Sequence, residues 1–441
     1  MQVLPADFLR GEVALPGDKS ISHRSAILTA MAGGASRIEN FSASADCTST
    51  LECLSLLGIR IERDGTSVIV NGVGKKGFIR PAVSLDCGNS GTTMRLLCGV
   101  LAGQTFDSVL TGDDSLVTRP MRRVVTPLES MGAKIDSRDG NAPLHIFGKN
   151  PLRAASVTPE VASAQIKSAI LLAGLNSDGA TSVIEATPTR DHTERMLEWL
   201  GVQVNVERLA DKTKITVSGN ATLAARDILV PGDISAATFF MVAAACLPHS
   251  EIVMKNVGIN GSRRAVIDIL IMMGANIEIS NERESCNEPV GDLWVRSGIS
   301  DILKETIVID GNLIPGLIDE IPALAVFGTQ LDSGLEIRDA AELRVKESDR
   351  ITTVVENLKR MGAGVEEFPD GFRVMRSKLS GARVDSAGDH RIAMAFAVAG
   401  LMADGITTIE GAECCDVSFP GFFDAVKAVS RISERDGRPL S

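Results

Sequence analysis

The sequence predicts an α/β fold built from six repeats of one helix-and-strand unit, arranged as two domains of three units each. Two regular markers predict the repeat: a polar stretch leads into an apolar helix six times, and a glycine ends a further helix five times. The sequence Pro-Gly-Asp also occurs twice, at 16–18 and at 231–233, which places a domain boundary near residue 231. A chain of 441 residues exceeds what one hydrophobic core usually supports.

Each of the six polar stretches is followed by apolar or small residues at i, i+3, i+4 and i+7, the stripe by which a helix packs against a core. The first residues of these stripes lie about 67 to 82 residues apart, too far for a common solenoid repeat but suited to a larger α/β unit. The stripes are Ile27/Ala30/Met31/Gly34, Met94/Leu97/Cys98/Leu101, Ile166/Ala169/Ile170/Ala173, Phe239/Val242/Ala243/Cys246, Ile321/Leu324/Ala325/Gly328 and Ile392/Ala395/Phe396/Ala399.

The second marker is a helix that ends in a Leu-Gly or Met-Gly pair, where glycine suits a left-handed C-cap. A β-branched run such as 214–217 or 276–279 follows and predicts a strand. An ordinary alternation of helices and strands is the alternative, but two independent markers with one spacing favour a repeat. The five glycines are Gly58, Gly132, Gly201, Gly274 and Gly362.

Composition narrows the function classes. The net charge of −11 argues against a surface for nucleic acid or anionic membrane. Cations nevertheless gather near the six polar stretches, which favours a small, multiply anionic ligand. These cations are Lys19, Arg24, Arg95, Arg119, Arg122, Arg123, Arg190, Arg344, Lys346, Arg350 and Arg391.

Eight cysteines without a Cys-x-x-Cys pair predict neither a disulfide framework nor a zinc site, and they favour a reducing cytoplasm. Without a signal peptide or a long apolar run, the chain is expected to be soluble and unprocessed. The Gly-x-Gly-x-x-Gly match at 72–77 runs into Phe-Ile-Arg-Pro rather than a helix, so we do not predict a dinucleotide site there.

The first strand is expected at 1–14, before a polar stretch in which Pro16-Gly17 turns the chain. Lys19, Ser20 and Arg24 follow, where a helix N-terminus supplies N–H groups and a positive dipole end for an anion. The alternative is that Asp18 or Ser20 only caps the helix.

The second polar stretch, 88–95, has glycines that permit close backbone approach and an amide, Asn89, that is either a ligand or only a helix cap. Pro120 suits a first helical position, which would place Arg119 at a helix N-terminus. The third stretch, 163–165, offers neutral donors. His192 lies in a polar turn, where it is expected to be a surface group or a cap.

The second half of the chain adds titratable groups. Asp319 precedes a helix, where it either stabilises the dipole or accepts a proton from a substrate hydroxyl. If 342–350 is helical, one face holds Glu347 between the cations Lys346 and Arg350, although a solvated helix face is the alternative. The sixth stretch, 388–391, adds an imidazole and a guanidinium.

Seven of these stretches resemble, in order, the signature sequences of the 5-enolpyruvylshikimate-3-phosphate synthase family. Phrases such as Ala-Ser-Ala-Gln-x-Lys-Ser-Ala and Leu-Arg-Val-Lys-Glu-Ser-Asp-Arg are similar to its divergent bacterial branch, class II. The stretches are 15–24, 88–95, 119–121, 163–165, 190–193, 343–350 and 389–391.

The resemblance implies a two-domain inside-out α/β barrel, the enolpyruvyl transferase fold, with six βαβαββ repeats and three in each domain. One domain would comprise 19–230 and the other 1–18 plus 231–441, with the active site in the cleft between them. The implied reaction transfers the enolpyruvyl group of phosphoenolpyruvate to the 5-hydroxyl of shikimate 3-phosphate and releases phosphate. We expect a cytoplasmic monomer without metal or cofactor, whose partners are these two small molecules and neither nucleic acid nor membrane.

The resemblance also implies residue roles. In the predicted chemistry Asp319 is the base for the hydroxyl, and Glu347 is the acid and base for the methylene carbon. Lys19 is the third predicted catalytic residue, a cation whose charge stabilises the tetrahedral adduct. The residues expected to bind phosphoenolpyruvate are Lys19, Asn89, Gly91, Arg119, Gln165, Arg350, His390 and Arg391. Those expected to bind shikimate 3-phosphate are Lys19, Ser20, Arg24, Ser163, Ala164, Gln165, Arg190, Asp319 and Lys346.

Two departures from the family pattern affect these expectations. Many members carry a lysine shortly before Ser/Thr-Phe-Pro, whereas this chain has Val417. The glyphosate-tolerant class II enzyme carries alanine where this chain has Gly91, so we expect inhibition by glyphosate.

Two other functions compete with this interpretation. The related transferase that acts on UDP-N-acetylglucosamine shares the fold, but its Pro-Gly-Gly-Cys loop is missing here. A non-catalytic anion-binding protein on the same fold would gain nothing from carboxylates beside its cations.

Overall fold

The structure is a computed structural model that describes residues 1–300 and 305–431, apart from the side chain of residue 312. The last ten residues of the predicted C-terminal domain, 432–441, therefore lie outside the described residues. The α-helices are α1 (Lys19–Ala30), α2 (Ala45–Leu56), α3 (Gly91–Ala102), α4 (Arg122–Ser130), α5 (Ala164–Gly174), α6 (His192–Trp199), α7 (Ile234–Cys246), α8 (Ala265–Met272), α9 (Ile314–Leu317), α10 (Ile321–Gly328), α11 (Arg350–Arg360), α12 (His390–Met402) and α13 (Phe422–Val429).

The strands alternate with these helices along the chain. They are β1 (Gln2–Val3), β2 (Phe8–Glu12), β3 (Gly33–Glu39), β4 (Arg60–Asp64), β5 (Ser67–Val73), β6 (Leu85–Asp86), β7 (Ser108–Thr111), β8 (Lys134–Arg138), β9 (Asn141–Phe147), β10 (Ser156–Val157), β11 (Ala180–Glu185), β12 (Asn205–Arg208), β13 (Thr213–Ser218), β14 (Ile228–Leu229), β15 (Glu251–Gly258), β16 (Ala275–Ser285), β17 (Glu288–Ile299), β18 (Ile307–Ile309), β19 (Leu335–Ile337), β20 (Val365–Phe368), β21 (Gly371–Val374), β22 (Arg383–Asp385), β23 (Thr407–Glu410) and β24 (Ser430–Arg431).

The chain forms two compact units. The N-terminal unit contains Gly17–Pro231 and Glu284–Glu288; the C-terminal unit contains Met1–Pro16, Gly232–Arg283 and the chain from Pro289 onward. The chain passes from one unit to the other inside each of the two Pro-Gly-Asp sequences. Each unit has its own buried apolar cluster.

In the N-terminal unit, three four-stranded sheets share one topology. Their strand orders are β6-β7-β9-β8, β10-β11-β13-β12 and β14-β3-β5-β4. In each sheet the first two strands are parallel and the remaining pairs are antiparallel. Each is a strand-helix-strand-helix-strand-strand unit, except that β14, from the far end of the unit, supplies the outer strand beside β3.

The C-terminal unit repeats this topology in the sheet β18-β19-β21-β20 and, with additions, in β16-β17-β15-β2-β24, while its third sheet is β1-β23-β22. The prediction of one strand over 1–14 is wrong, because β1 and β2 belong to different sheets. Gln2 pairs with Thr408 in β23, whereas Arg10 pairs with Glu251 in β15.

Both sequence markers of the repeat are confirmed. The six striped helices are α1, α3, α5, α7, α10 and α12, and they are almost entirely buried. Gly34 is an exception, since α1 ends before it and Gly34 lies in β3. The five predicted C-cap glycines have φ between 82° and 94°, the left-handed conformation that glycine adopts without strain.

Other features concern the function classes considered above. The 72–77 segment begins in the last two residues of β5 and does not open a helix, as expected. All eight cysteines are free thiols. Within residues 1–300 and 305–431, no helix is long and apolar enough to span a membrane, and no cluster of His, Cys, Asp and Glu could hold a metal ion.

Candidate active site

In the N-terminal unit, the opening of α1 presents Lys19 beside a carboxylate. Asp18 caps the helix, its side chain accepting a hydrogen bond from the Ile21 N–H at 2.8 Å. Lys19 Nζ lies 2.8 Å from Asp46 Oδ2, and its side chain is 21% exposed. Asp46 was missing from the predicted site because it lies on α2, whose sequence carries no anion-binding pattern.

Arg24 lies one turn further along α1 and is buried. Its guanidinium donates to Thr193 Oγ1 at 2.8 Å, to Ser168 Oγ at 3.0 Å and to the Ser20 carbonyl at 2.9 Å. Burial lowers the pKa of Arg24 to about 10; the negative charge of Glu194 opposes this shift and the positive charge of Arg190 adds to it. Arg24 therefore stays charged at neutral pH. It lies within electrostatic reach of Arg190, another residue predicted to bind the anion.

The second polar stretch brings Asn89 to Arg119. Arg119 Nη2 donates to Asn89 Oδ1 at 2.6 Å, and Asn89 Nδ2 donates to Asp113 Oδ2 at 2.7 Å. Asn89 is not the helix cap, because Ser90 holds that position and accepts from the Thr93 N–H at 3.1 Å.

The predicted position of Pro120 is wrong. Helix α4 begins at Arg122, and its N-cap is Met121, whose N–H donates to the Gly140 carbonyl at 2.8 Å. Arg119 instead closes a 3-10 turn, its N–H bonding to the Leu116 carbonyl at 3.1 Å. It therefore reaches Asn89 from a turn and not from a helix N-terminus.

Gly91 is the first residue of α3 and lies against two guanidinium groups. A Cβ at this position would stand 2.6 Å from Arg95 Nη1 and 3.7 Å from Arg119 Nη1. Arg95 Nη1 in turn donates to Gln165 Oε1 at 2.6 Å, which joins the second and third polar stretches. The sequence marked Arg95 as a nearby cation but did not assign it to the site.

The third stretch opens α5, where Ser163 is the N-cap and Ala164 and Gln165 are the first helical residues. Arg190 lies in the irregular segment between β11 and α6. The expectation that His192 is a surface group or a cap is wrong. It is 2% exposed, its Nδ1 lies 2.8 Å from Glu288 Oε1, and Asp191 holds the N-cap position of α6. Glu288 comes from the short 284–288 segment, too distant in sequence to be anticipated.

In the C-terminal unit, Arg350 is the centre of a cluster of carboxylates. Its side chain is 2% exposed and lies 2.7 Å from Asp389, 2.6 Å from Glu347 and 3.4 Å from Asp319. Burial disfavours the charged guanidinium, but the negative charges of Asp389, Glu347 and Asp319 outweigh it and raise the pKa of Arg350. Two of these carboxylates, Asp319 and Glu347, remain partly exposed.

Residues 342–350 do not form one helix, contrary to the arrangement considered above. A 3-10 helix ends at Val345, and α11 begins at Arg350 with Asp349 as its N-cap. Lys346 Nζ lies 3.2 Å from Glu342 Oε1, whereas Glu347 Oε2 lies 2.6 Å from Arg350 Nη2. Asp389 was not among the predicted site residues either. It is the N-cap of α12, whose first helical residue is His390.

Residues of the fifth polar stretch, which precedes α10, and of the sixth, 388–391, meet at Asp319. Arg391 Nη1 donates to the Asp319 carbonyl at 3.0 Å, and Arg391 Nε lies 3.8 Å from the Asp319 carboxylate. Glu320 is the N-cap residue of α10 and is buried against Ser235, to which its carboxylate is hydrogen bonded. His390 is also buried, as the first residue of α12.

The predicted residues thus form two sets, one in each unit. The anion set is in the N-terminal unit and comprises Lys19, Ser20, Arg24, Asn89, Gly91, Arg119, Ser163, Ala164, Gln165 and Arg190. The acid-base set is in the C-terminal unit and comprises Asp319, Lys346, Glu347, Arg350, His390 and Arg391. Val417, which replaces the family's lysine, ends a 3-10 helix in the C-terminal unit and is half-buried.

Comparison with known proteins gives a consistent result. The family model for EPSP synthase (3-phosphoshikimate 1-carboxyvinyltransferase) matches residues 4–426. Proteins named 3-phosphoshikimate 1-carboxyvinyltransferase from Salinibacter ruber and Pelotomaculum thermopropionicum are 51% and 53% identical. The alignments cover 96% of this chain in both cases, and 97% and 96% of those proteins.

A solved structure of EPSP synthase from Acinetobacter baumannii is similar to this chain with a TM-score of 0.86 and 40% identity. The match covers 97% of this chain and 98% of that one. The resemblance seen in the sequence, the two-domain enolpyruvyl transferase fold and the transferase reaction are thereby confirmed. The chain belongs to the EPSP synthase family.

Proposed function

We propose that this chain transfers the enolpyruvyl group of phosphoenolpyruvate to the 5-hydroxyl of shikimate 3-phosphate and that the two residue sets act on these substrates. The observation that carries the proposal is the arrangement at Arg350. One buried guanidinium holds two partly exposed carboxylates, Asp319 at 3.4 Å and Glu347 at 2.6 Å. The reaction needs two such groups, because a hydroxyl must lose a proton while a methylene carbon gains one.

In the addition step, Asp319 accepts the proton of the 5-hydroxyl while the hydroxyl oxygen bonds to the central carbon of phosphoenolpyruvate. Glu347 donates a proton to the methylene carbon, which becomes a methyl group in a tetrahedral adduct. In the elimination step, Glu347 takes back a methyl proton, the carbon-carbon double bond reforms and phosphate leaves. The proton held by Asp319 passes to the departing phosphate, so both carboxyl groups return to their starting states.

The cations have a separate role. Lys19, Arg119, Arg350 and Arg391 are the groups proposed to neutralise phosphoenolpyruvate and the charge of the adduct. Gly91 leaves room beside them, and Asn89, Gln165 and His390 complete the proposed phosphoenolpyruvate set. For shikimate 3-phosphate we propose Lys19, Ser20, Arg24, Ser163, Ala164, Gln165, Arg190, Asp319 and Lys346.

Phosphate release tests the proposal directly. Purified protein with phosphoenolpyruvate, shikimate 3-phosphate and a metal chelator should release phosphate and form the enolpyruvyl ether in equal amounts. Replacing shikimate 3-phosphate with UDP-N-acetylglucosamine should abolish release. Release only with the uridine sugar, or binding of both proposed substrates without any release, would contradict the proposal.

We also propose a monomer that resides in the cytoplasm. Eight free thiols, four of them fully buried or nearly so in the N-terminal unit, are compatible with a reducing compartment. Light scattering on the purified protein would test the oligomeric state, and fractionation of the source cells would test the location.

A further inference from the structure

One lysine near the anion set is buried in a cluster of charges that the proposed mechanism does not use. Lys167 lies on α5, two residues after Gln165, and its side chain is 2% exposed. Its Nζ lies 3.0 Å from Glu185 Oε2 and 2.7 Å from Glu194 Oε1. Ion pairs buried this deeply add little stability over apolar residues of similar size, so stability alone does not account for the cluster.

The cluster holds the turn that carries Arg190. Lys167 Nζ donates to the Thr189 carbonyl at 3.3 Å, and the Thr189 hydroxyl donates to Glu185 Oε1. The carbonyl and the hydroxyl of Thr189 are thus both bonded to the cluster, and Arg190 is the next residue. Because this segment lies in neither a helix nor a strand, such contacts determine where its backbone runs.

The same cluster lies behind Arg24. Glu194 follows Thr193 on α6, and Lys167 precedes Ser168 on α5. The two hydroxyls, Thr193 Oγ1 and Ser168 Oγ, accept hydrogen bonds from Arg24 at 2.8 Å and 3.0 Å. The Lys167–Glu194 bond therefore joins α5 to α6 at the point where both helices hold the Arg24 guanidinium.

Charge adds to this geometric coupling. Burial raises the pKa of Glu194, and the positive charge of Lys167 partly offsets that rise. Without Lys167, Glu194 would take up a proton more readily. The buried Arg24 would then lose part of its negative counter-charge.

We propose that Lys167 is a positioning residue for shikimate 3-phosphate: through Glu185 and Thr189 it places Arg190, and through Glu194 it fixes the α5–α6 contact that holds Arg24. This inference rests on the proposed function, in which Arg24 and Arg190 bind shikimate 3-phosphate and not phosphoenolpyruvate. Loss of Lys167 should therefore weaken the binding of one substrate selectively.

The test is Lys167→Met, which keeps the length of the side chain and removes its charge. We expect KM for shikimate 3-phosphate to rise about 10-fold or more, the scale of one lost charge-assisted hydrogen bond. KM for phosphoenolpyruvate, measured at saturating shikimate 3-phosphate, and kcat should stay within about twofold.

The matched control is Lys75→Met. Lys75 Nζ donates to the carbonyls of Leu175, at 2.6 Å, and Gly219, at 2.7 Å, and so anchors the opposite end of α5. This variant should lower the melting temperature without changing either KM. An equal rise of KM for shikimate 3-phosphate in both variants would overturn the proposal, because it would show a general effect of loosening α5.

A second variant covers the case in which Lys167→Met does not fold. Thr189→Val removes only the hydroxyl bond to Glu185, at a half-buried position, and leaves Lys167 in place. We expect KM for shikimate 3-phosphate to rise about threefold or more, again without a change for phosphoenolpyruvate. An unchanged KM in Thr189→Val, or a parallel rise for both substrates, would overturn the role of the cluster.

The wild-type protein separates this inference from the proposed function. Failure of the wild type to release phosphate from the two substrates would contradict the function itself. Normal wild-type turnover combined with an unaltered KM in folded Lys167→Met would contradict only the role of Lys167.

Discussion

A single guanidinium, that of Arg350, organises the proposed acid-base chemistry at the scale of residues. Its carboxylate neighbours come from three separate segments, yet only Glu347 is close to it in sequence. Asp389 is fully buried and bonds Arg350 through both of its oxygens, at 2.7 Å and 3.4 Å. This leaves Asp319 and Glu347 as the partly exposed carboxylates of the cluster.

Glu347→Gln should therefore separate binding from chemistry. The amide oxygen can still accept a hydrogen bond from Arg350, so the Kd of each substrate should stay within about threefold, while kcat falls about 100-fold or more. Fixed-time assays of phosphate release would measure kcat, and calorimetry would measure the Kd of each substrate. Glu342→Gln is the control, since Glu342 is an exposed carboxylate of the same stretch that pairs with Lys346. Near-normal turnover of Glu347→Gln would remove Glu347 from the proposed role.

Gly91 leads to a prediction about inhibition by glyphosate. An added methyl group would meet Arg95 Nη1 at 2.6 Å, so the guanidinium, which also donates to Gln165, would have to shift. We expect the wild type to be inhibited, whereas Gly91→Ala should raise Ki for glyphosate about 10-fold or more and KM for phosphoenolpyruvate less.

Inhibition kinetics against phosphoenolpyruvate would measure both constants. Gly261→Ala is a suitable control, because no atom lies within 4 Å of the Cβ it would add. Full wild-type activity at glyphosate concentrations far above KM for phosphoenolpyruvate would contradict the expectation.

The sequence indicated the residues proposed to bind the ligands but not the side chains that pair with them. Lys19, Arg24 and Arg350 lie in short motifs, and their residue types alone suggest anion binding. Asp46 and Glu288 could not be predicted, because each becomes a partner only after chain segments far apart in sequence have packed together.

At the scale of secondary-structure elements, local signals predicted where six helices begin and where five others end. The left-handed glycines and the apolar stripes act within one or two turns, so they can be detected without tertiary information. Predictions failed where tertiary contacts decide the local backbone conformation. Arg344 bonds to the carbonyls of Phe368 and Pro369, both at 2.7 Å, and these contacts accompany the 3-10 geometry that delays the start of α11 until Arg350.

Buried polar contacts between α1, α2 and α3 make stability depend on pH. His23 on α1 is fully buried, and its Nδ1 lies 2.7 Å from Thr50 Oγ1 on α2, which in turn lies 2.6 Å from Thr93 Oγ1 on α3. Burial lowers the pKa of His23 from its ordinary 6.5 to about 3; the charge of Asp46 opposes this shift, and those of Lys19 and Arg24 add to it. Between these two pH values, the unfolded chain binds a proton that the folded chain does not.

The stability contributed by neutral His23 is thus fully present above pH 6.5 and declines as the pH falls toward 3. We expect the free energy of unfolding of the wild type to fall, between pH 7 and pH 5, by about 2 kcal/mol more than that of His23→Asn. Urea unfolding at several pH values would measure this. His145→Asn, at an exposed position on β9, should follow the wild type, whereas equal pH slopes for the wild type and His23→Asn would refute the prediction.

At the scale of the whole molecule, the two units share one repeated topology but complete it with strands from distant parts of the chain. In the N-terminal unit β14 pairs with β3, about 190 residues earlier, and in the C-terminal unit β2 pairs with β15, about 240 residues later. The number of repeats was predictable from local patterns. The pairing of these distant strands was not, because no local pattern indicates it.

Because the residues proposed for the two substrates differ in several segments, each substrate should protect a distinct part of the chain. Shikimate 3-phosphate alone should slow amide hydrogen exchange at 20–24, 163–168 and 189–193, since the proposed ligands there bind only this substrate or share it. Phosphoenolpyruvate alone should slow exchange at 89–95 and 390–395. Mass spectrometry of the wild type with one saturating substrate at a time would measure this without turnover, and the β20–β21 hairpin, which carries no site residue, is the internal control. Identical protection patterns with the two substrates, or protection by shikimate 3-phosphate confined to 390–395, would contradict the assignment of these residues to the two substrates.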